Sequence, residues 1–207
     1  MGEFETPYGT ARAVLEYPST SDTVRSLLVL GHGAGGGIEA PDLVAVAGAA
    51  RRVGVAVARV VQPYRVAGRR APAPAAQLDA AWRAVVSRLR ADPGLAHLPL
   101  IVGGRLSGAR VACRTAGALN AAGVVALAFP LHPPQRPERS RAHELAAVGV
   151  PTLVVNGDRD PFGVPSAGGQ VEVCVRPGER HDLGRDPDAV GAAVVAWLGR
   201  HGWAERV

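Results

Sequence analysis

The alternation of two kinds of segment along the chain limits the folds open to it. Short apolar runs such as "SLLVL" at 26–30 and "TLVVN" at 152–156 alternate with longer amphipathic stretches. Continuous apolar runs are typical of strands covered on both faces, and strands that alternate with helices form mostly parallel sheets. We therefore predict an α/β fold with a mostly parallel sheet flanked by helices on both faces.

Seven strands and four helices are predicted. The strands are 11–17, 26–30, 55–61, 98–102, 124–129, 152–156 and 171–175. The helices are 42–53, 75–90, 107–119 and 186–201. Strand 11–17 alternates polar and apolar residues, as an edge strand with one solvated face does. The last helix has the clearest pattern, because Asp186 can cap it, Pro187 fits its first turn and Trp197 belongs to its apolar stripe.

The length of 207 residues fits one domain, so we predict a single domain over 1–207 without a linker or a lid domain. No apolar run approaches the ~20 residues that span a membrane. The acidic start "MGEFETPYGT" lacks the features of a signal peptide, and we expect a cytoplasmic protein. Cys113 and Cys174 have no C-x-x-C spacing, which favours small core residues over a disulfide or zinc site.

The net charge of +5 does not indicate nucleic-acid binding. All 23 basic residues are arginine and they are spread along the chain, with no aromatic-basic patch beside them. Arginine in place of lysine, together with much alanine, glycine, valine and proline, is typical of proteins encoded by GC-rich bacterial genomes. We expect no nucleic-acid partner.

Unusual polar clusters follow four of the predicted strands. They are "GHGAGGG" at 31–37, "GGRLSG" at 103–108, "NGDRDPFG" at 156–163 and "RPGERHDLG" at 176–184. In open α/β sheets, ligands bind at the carboxyl ends of the strands. The four loops can therefore converge on one cleft.

The glycine-rich loop has two interpretations. Gly31, Gly33 and Gly36 satisfy the dinucleotide pattern G-x-G-x-x-G, and Arg59 could face a 2′-phosphate. That fold needs its third glycine inside a helix, whereas Pro41 and the residues before it delay the next helix. We therefore favour the second interpretation, an oxyanion loop.

In an oxyanion loop, backbone N–H groups point at a developing negative oxygen. Ala34 and Gly35 are the predicted donors, and His32 shapes the loop. The later loops supply Asp158 or Asp160 and then His181, which is the chain order of the hydrolase triad. An aspartate on one ring nitrogen of a histidine fixes the tautomer and stabilises the imidazolium. The histidines outside the four loops are predicted to be surface or packing residues; they are His97, His132, His143 and His201.

Several segments together resemble the small dienelactone-hydrolase-like α/β hydrolases, a family that includes testis-expressed protein 30 and regulatory subunits of a histone acetyltransferase complex. The segments are "LVLGHGAGGG", "QPYRVAGRRAPAP", "VGGRLSGARVA", "FPLHPPQRPERSRAHEL", "PTLVVNGDRDPFG" and "GERHDLG". The resemblance implies an α/β-hydrolase fold, Asp160 as the acid and His181 as the base. The family pattern G-G-[RK]-S-x-G-x-R places its nucleophilic serine at Leu106.

Leucine cannot form an acyl-enzyme, so the resemblance implies a chain with little or no activity. Either Leu106 is a recent or introduced substitution in an ordinary hydrolase, or it is native to a pseudoenzyme that binds ligands. The sequence leaves both open, although the intact acid, base and glycine loop favour the first. Ser107 could serve only if the motif shifted by one residue; otherwise it begins the next helix and its N–H belongs to the oxyanion hole.

The expected partner is a small-molecule acyl substrate, such as a carboxylic ester. His32, Tyr64, Arg65 and His132 are predicted to line its pocket, although each is equally explained as loop structure. No metal, cofactor or membrane partner is implied. The sequence predicts neither the acyl group nor the oligomeric state.

Overall fold

Eight strands form one sheet in the computed structural model, which describes residues 1–19 and 23–206. The strands are β1 (Gly2–Thr6), β2 (Gly9–Glu16), β3 (Ser26–Gly31), β4 (Val55–Val61), β5 (Leu100–Arg105), β6 (Gly123–Leu127), β7 (Thr152–Gly157) and β8 (Val171–Arg176). Their order in the sheet is β1-β2-β4-β3-β5-β6-β7-β8. β2 pairs antiparallel with β1 and β4, and β3 to β8 are parallel.

Helices cover both faces of the sheet. They are α1 (Pro41–Arg51), α2 (Pro63–Val66), α3 (Ala75–Arg90), α4 (Ser107–Thr115), α5 (Ala142–Ala146) and α6 (Pro187–Arg200), with a 3₁₀ turn at Pro137–Arg139. α1 and α6 enclose one apolar core, in which Trp197 is fully buried. α3 and α4 enclose the other core, which contains Trp82. Every residue of β3 and β5 is buried, as two covered faces require.

The predicted α/β fold with a mostly parallel sheet is confirmed, and so is the core position of Trp197. The sheet has one strand more than the seven segments predicted, because the polar segment "GEFET" forms β1 at the edge of the sheet. β2 is therefore not the edge strand that the alternation of 11–17 suggested. It lies between β1 and β4, with only part of its surface covered. Cys113 is buried as expected, whereas Cys174 on β8 is only partly buried.

Helix α4 lies against strand β3 at a glycine-to-glycine contact. A Cβ added to Gly108 would lie 2.5 Å from the carbonyl oxygen of Gly31 and 2.8 Å from that of His32. Both obstacles are backbone atoms, so helix or strand must move to accept a side chain.

We expect Gly108→Ala to lower the free energy of unfolding by about 1–3 kcal/mol, the usual cost of overpacking. Chemical denaturation measures the change. Gly117→Ala is the matched control, because a Cβ there meets nothing within 4 Å, and its effect should be within about 0.5 kcal/mol. Equal stability of the two variants would contradict the close contact.

Candidate active site

The turn between β5 and α4 has a strained backbone. Leu106 has φ 54° and ψ −116°, a combination that costs a residue other than glycine about 1–3 kcal/mol. Its N–H donates to the carbonyl oxygen of Leu127 at 3.0 Å, and its own carbonyl accepts from the N–H of Arg110 at 3.3 Å. A Cβ on Gly104 would clash with the backbone of Gly31, so only glycine allows this approach. Strand, sharp turn and helix therefore project residue 106 above the sheet.

The side chain of Leu106 lies against the glycine-rich loop after β3. Its Cγ and Cδ1 would be 3.2 and 2.8 Å from a Cβ placed on Gly33. Leu106 is partly buried and also lines an open cavity of about 450 Å³ with His181 and Asp182. The cavity brings together the turn after β5 and the loop after β8, as the sequence predicted for the carboxyl ends of the strands.

Asp160 and His181 form a hydrogen-bonded pair beside this cavity. His181 Nδ1 lies 2.8 Å from Asp160 Oδ2, and the N–H of Phe162 donates to Oδ1 at 2.8 Å. The carboxylate is fully buried, whereas the imidazole remains 19% exposed. The ring of Phe162 stacks on that imidazole with 3.9 Å between centroids. With Nδ1 donating to Asp160, Nε2 carries the lone pair and can accept a proton.

Two buried polar side chains that the sequence analysis did not single out hold this pair. Asn156 donates through Nδ2 to Asp160 Oδ2 at 3.1 Å, and its Oδ1 accepts from the N–H of Phe129 at 2.9 Å. Glu179 accepts from the N–H groups of Arg185 and Asp186 at 3.2 and 2.7 Å, which shapes the loop carrying His181. The sequence feature that could have identified Asn156 is its position as the polar last residue of the apolar run "TLVVN".

The second candidate acid, Asp158, faces away from His181. Its Oδ1 accepts from the N–H of Gly178 at 2.8 Å and the side chain is exposed. Its role here is to fasten the turn after β8. Of the two aspartates, the structure brings Asp160 to the histidine.

A second buried acid, Asp42, pairs with Arg105 beneath the loops. Arg105 Nε donates to Asp42 Oδ2 at 2.8 Å, and the Asp42 carboxylate has no exposed surface. Burial raises the pKa of Asp42, and the charge and hydrogen bond of Arg105 oppose that shift. Arg105 also reaches the carbonyl oxygen of Asp182, at 3.4 Å. One guanidinium thus joins the start of α1, the turn after β5 and the histidine loop.

His32 holds the glycine-rich loop from below. Its Nε2 accepts from the N–H of Gln62 at 3.1 Å, so Nδ1 carries the proton and donates to the carbonyl oxygen of Gly33 at 2.8 Å. The ring is buried and both of its nitrogens are engaged by backbone, which leaves none for a substrate. The placement fits the loop-shaping role and not the substrate contact that we also predicted for His32.

The pKa of His32 is lowered mainly by burial, and the charges of Arg65 and Arg105 add to this. Because the folded chain binds this proton less tightly than the unfolded chain, the contribution of His32 to stability is complete above pH 6.5. It is lost as the pH falls through the lowered pKa. We expect the free energy of unfolding to fall over that window by up to about 1.4 kcal/mol per pH unit from this group.

Urea denaturation between pH 8 and pH 5 tests this expectation, since His32→Gln should lose that part of the pH dependence. The control is His97→Gln, because His97 is exposed and its replacement should leave the slope unchanged. A His32→Gln profile parallel to that of the unmodified chain would contradict the assignment.

Tyr64 and Arg65, which were also predicted to line the pocket, both lie in α2. Tyr64 is buried and donates through its hydroxyl to the carbonyl oxygen of Ala34 at 3.2 Å, next to the exposed Gly35. Arg65 donates to the carbonyl oxygen of Arg69 at the surface. Tyr64 therefore ties the glycine-rich loop to α2, whereas Arg65 is not among the residues that line the cavity of Leu106 and His181.

His132 contacts the aspartate loop, where its ring packs on Gly163. The backbone N–H of His132 donates to the carbonyl oxygen of Phe162 at 3.0 Å. Ser107 is the first residue of α4 and lines a small cavity with Gln62 and Trp82, away from the cavity of Leu106 and His181. Its backbone N–H has no partner within the helix, as at any helix start.

The alternative dinucleotide site does not fit the geometry. α1 begins at Pro41, so Gly36 lies outside the helix that would have to hold a pyrophosphate. Arg59 is buried and donates to the carbonyl oxygen of Ile38 at 2.8 Å and to Glu16 at 3.2 Å. Its guanidinium is engaged within the protein.

Comparison with known proteins gives the family. The sequence model of the alpha/beta hydrolase domain matches residues 24–186. The chain belongs to the α/β-hydrolase family. The match extends from just before β3 to the end of the histidine loop, and so it includes all four loops. No curated protein sequence matches this α/β hydrolase significantly.

Solved structures share the fold at low sequence identity. XC6422 from Xanthomonas campestris, described as a serine hydrolase without lid, is 20% identical with a TM-score of 0.76 and coverage of 99% of this chain and 94% of its own. Est1E from Butyrivibrio proteoclasticus is 17% identical with a TM-score of 0.80, over 96% and 97% of the two chains. A dienelactone hydrolase from Anabaena variabilis is 18% identical with a TM-score of 0.74, over 97% and 95%. These likenesses show the α/β-hydrolase fold.

The described residues contain neither a membrane-spanning helix nor a cluster of metal-binding side chains. No helix there is long and apolar enough to cross a membrane. No group of three histidine, cysteine or acidic side chains in residues 1–19 and 23–206 is placed to hold a metal ion.

Proposed function

We propose that this chain carries the machinery of a serine acyl hydrolase in which Leu106 occupies the nucleophile position, so that the chain itself hydrolyses esters poorly or not at all. The observation that carries the proposal is the backbone of Leu106, with φ 54° and ψ −116° at a glycine-flanked turn between strand and helix. A nucleophile elbow holds its serine on such a strained strand-to-helix turn. A leucine gains nothing from that strain, since it has neither a proton nor a lone pair to use.

The residues around Leu106 fit the other roles of acyl transfer. His181 is the proposed base, because its Nδ1 is paired with Asp160 and its Nε2 can take a proton. The N–H of Ser107 and those of Ala34 or Gly35 are the proposed oxyanion donors. Serine at position 106 would give its proton to His181 and attack the acyl carbon. The proposed substrate is a small carboxylic ester. Its alcohol would depart with the proton held by His181 and leave the acyl group on the serine, and water deprotonated by His181 would then release that group as a carboxylic acid.

A binding protein without catalysis is the second candidate, and the packing of Leu106 favours it. The leucine side chain packs on Gly33, next in the chain to the proposed donors Ala34 and Gly35. The resemblance to regulatory subunits of a histone acetyltransferase complex is consistent with such a role. Ser107 as a displaced nucleophile fits less well, because Ser107 and His181 line different cavities.

Labelling with a fluorophosphonate probe tests the proposal, because the probe reacts with serines that a base activates. We expect no labelling of the chain as given, labelling of Leu106→Ser at residue 106, and loss of that labelling in Leu106→Ser with His181→Ala. Peptide mass spectrometry locates the adduct. Failure of Leu106→Ser to label would overturn the hydrolase assignment, and an adduct on Ser107 in the unmodified chain would overturn the role given to Leu106.

A panel of esters then addresses the acyl group. Est1E has been solved with ferulic acid bound, so the panel for Leu106→Ser should include a feruloyl ester beside short-chain p-nitrophenyl esters. Labelling by the probe without turnover of any ester would show a competent elbow whose substrate lies outside this class.

A further inference from the structure

Strand β8 lies at the edge of the sheet, and among the described residues it pairs along its length only with β7. The N–H of Thr152 donates to the carbonyl oxygen of Gln170 at 2.8 Å, and the N–H of Asp158 donates to that of Arg176 at 3.2 Å. In a parallel ladder alternate residues bond to the same neighbour. The backbone N–H and C=O groups of the even-numbered residues in this segment therefore point toward β7. Those of the odd-numbered residues point outward, away from the sheet.

The outward backbone groups are partly used at the start of the strand. Val171 exchanges two hydrogen bonds with Gly168, at 2.9 and 3.0 Å, in an isolated antiparallel bridge. The backbone groups of Val173 and Val175 face the same way, and Val175 is 46% exposed. The N–H and C=O groups of these two valines form the open part of the edge.

We propose that this open edge pairs antiparallel with the same edge of a second copy of the chain, with Cys174 opposite Cys174 of the second copy. In that register Val173 lies opposite Val175 of the second copy. Each of these two valine pairs exchanges both of its backbone hydrogen bonds, and symmetry gives four such bonds. The two sheets then join into one continuous sheet.

The proposed strand pairing ends at Val171, whose outward backbone groups are already hydrogen bonded within the chain. Val171 would lie opposite Pro177 of the second copy. Proline has no N–H to donate, and the outward groups of Val171 are already bonded to Gly168. The paired segment therefore stops without leaving a backbone donor unmet.

Charge complementarity supports the same register. Glu172 would lie opposite Arg176 of the second copy, on the face covered by α6, and opposite charges across a strand pair stabilise it. Within one chain, Arg176 meets only Asp186 among described carboxylates, at 3.9 Å, and its side chain is partly exposed. Glu172 bonds to Trp197 and Arg200, yet its side chain is 52% exposed and can accept further bonds.

The opposite edge of the sheet does not offer this complementarity. β1 paired with itself about its central residue Phe4 would place Glu3 opposite Glu5 of the second copy. Like charges directly opposite each other destabilise a strand pair. β8 is therefore the edge suited to self-association, and this inference does not depend on the proposed function.

Sedimentation velocity tests the association. We expect the unmodified chain to sediment with twice its mass of 21.3 kDa at concentrations of tens of micromolar. Val173→Pro removes an outward N–H and should give a monomer, whereas the matched Val173→Ala keeps the N–H and should remain a dimer. The thermal unfolding of both variants shows whether they fold. A monomeric unmodified chain, or a folded Val173→Pro that remains a dimer, would overturn the proposal.

Cross-linking tests the register. Opposed residues in the wide part of an antiparallel pair have Cα atoms about 4.5 Å apart, within the range that a disulfide spans. Diamide oxidises the two thiols to a disulfide and takes up the two electrons and two protons as its hydrazine form. We expect a reducible cross-linked dimer from Cys113→Ser and none from Cys174→Ser. The absence of a cross-link in Cys113→Ser would overturn the register.

Reversing the charges of Arg176 and Glu172 tests the same association without a proline substitution. Arg176→Glu alone should weaken association about tenfold, since it faces Glu172 of the second copy with a like charge. Combined Arg176→Glu and Glu172→Arg should recover it. Equal dissociation constants for all three chains would contradict the Glu172 to Arg176 contact.

Discussion

Replacing Leu106 by serine is expected to raise kcat/KM for p-nitrophenyl acetate by at least about 10³. Loss of the nucleophile costs a factor of order 10⁶ in kcat in a well-studied serine protease, and the reverse change recovers part of that factor where the other groups are in place. Here the backbone of residue 106 is already in the strained conformation, and Asp160 already holds His181. The substitution also removes the leucine methyl groups from Gly33 and opens the space beside the loop.

Two further variants separate nucleophilic attack from pocket opening. Leu106→Ala opens the same space without a hydroxyl group, so its activity should stay at the level of the unmodified chain. Adding His181→Ala to Leu106→Ser should remove most of the gain, because serine is a weak nucleophile without its base. If Leu106→Ala and Leu106→Ser hydrolyse the ester equally fast, the oxygen of residue 106 plays no part.

Removing the carboxylate of Asp42 is expected to lower the free energy of unfolding by about 3–5 kcal/mol. Breaking a buried ion pair leaves the other charge without compensation in a medium of low polarity. In Asp42→Ala that charge is the guanidinium of Arg105, whose side chain is only 10% exposed. The N–H of Leu43, which now donates to Asp42 Oδ1 at 2.9 Å, also loses its partner.

Urea denaturation measures this loss, and Asp42→Asn is the matched comparison. The amide keeps an oxygen for the hydrogen bonds but removes the charge, so its cost should lie between zero and that of alanine. Glu3→Ala breaks the exposed pair of Glu3 with Arg12 and should leave the unfolding midpoint nearly unchanged. An Asp42→Ala chain as stable as Glu3→Ala would show that the buried pair contributes nothing.

The fold could be predicted from the sequence because its inner strands are apolar on both faces. "SLLVL" and "TLVVN" have no other explanation in a chain of alternating elements, and they lie in β3 and β7. The edge strand β1 was harder to predict, because its sequence "GEFET" is short, polar and mostly exposed. Its residues pair with those of β2, as Glu3 does with Arg12, and no pattern within the segment itself encodes that pairing.

The places after two strands predicted that Asp158 or Asp160 would meet His181, and the family resemblance implied Asp160. The structure puts Asp160 and His181 in contact. The supports of that pair, Asn156 and Glu179, were not predicted, and neither was the buried pair of Asp42 with Arg105. Glu179 and Asp42 are charged residues in segments that look like a loop and a helix start. Only the folded backbone buries them and supplies their partners, so sequence alone gave no reason to separate them from surface acids.

The guanidinium of Arg105 makes the loops around the cavity mechanically dependent on one another. It is hydrogen bonded to Asp42 and to the carbonyl oxygen of Asp182, and it lies against Gly36. Segments fastened to one buried group open together, in the manner of a cooperative unfolding unit. A ligand held at any one of these loops would therefore slow amide hydrogen exchange in the others, and the site would open and close as a whole.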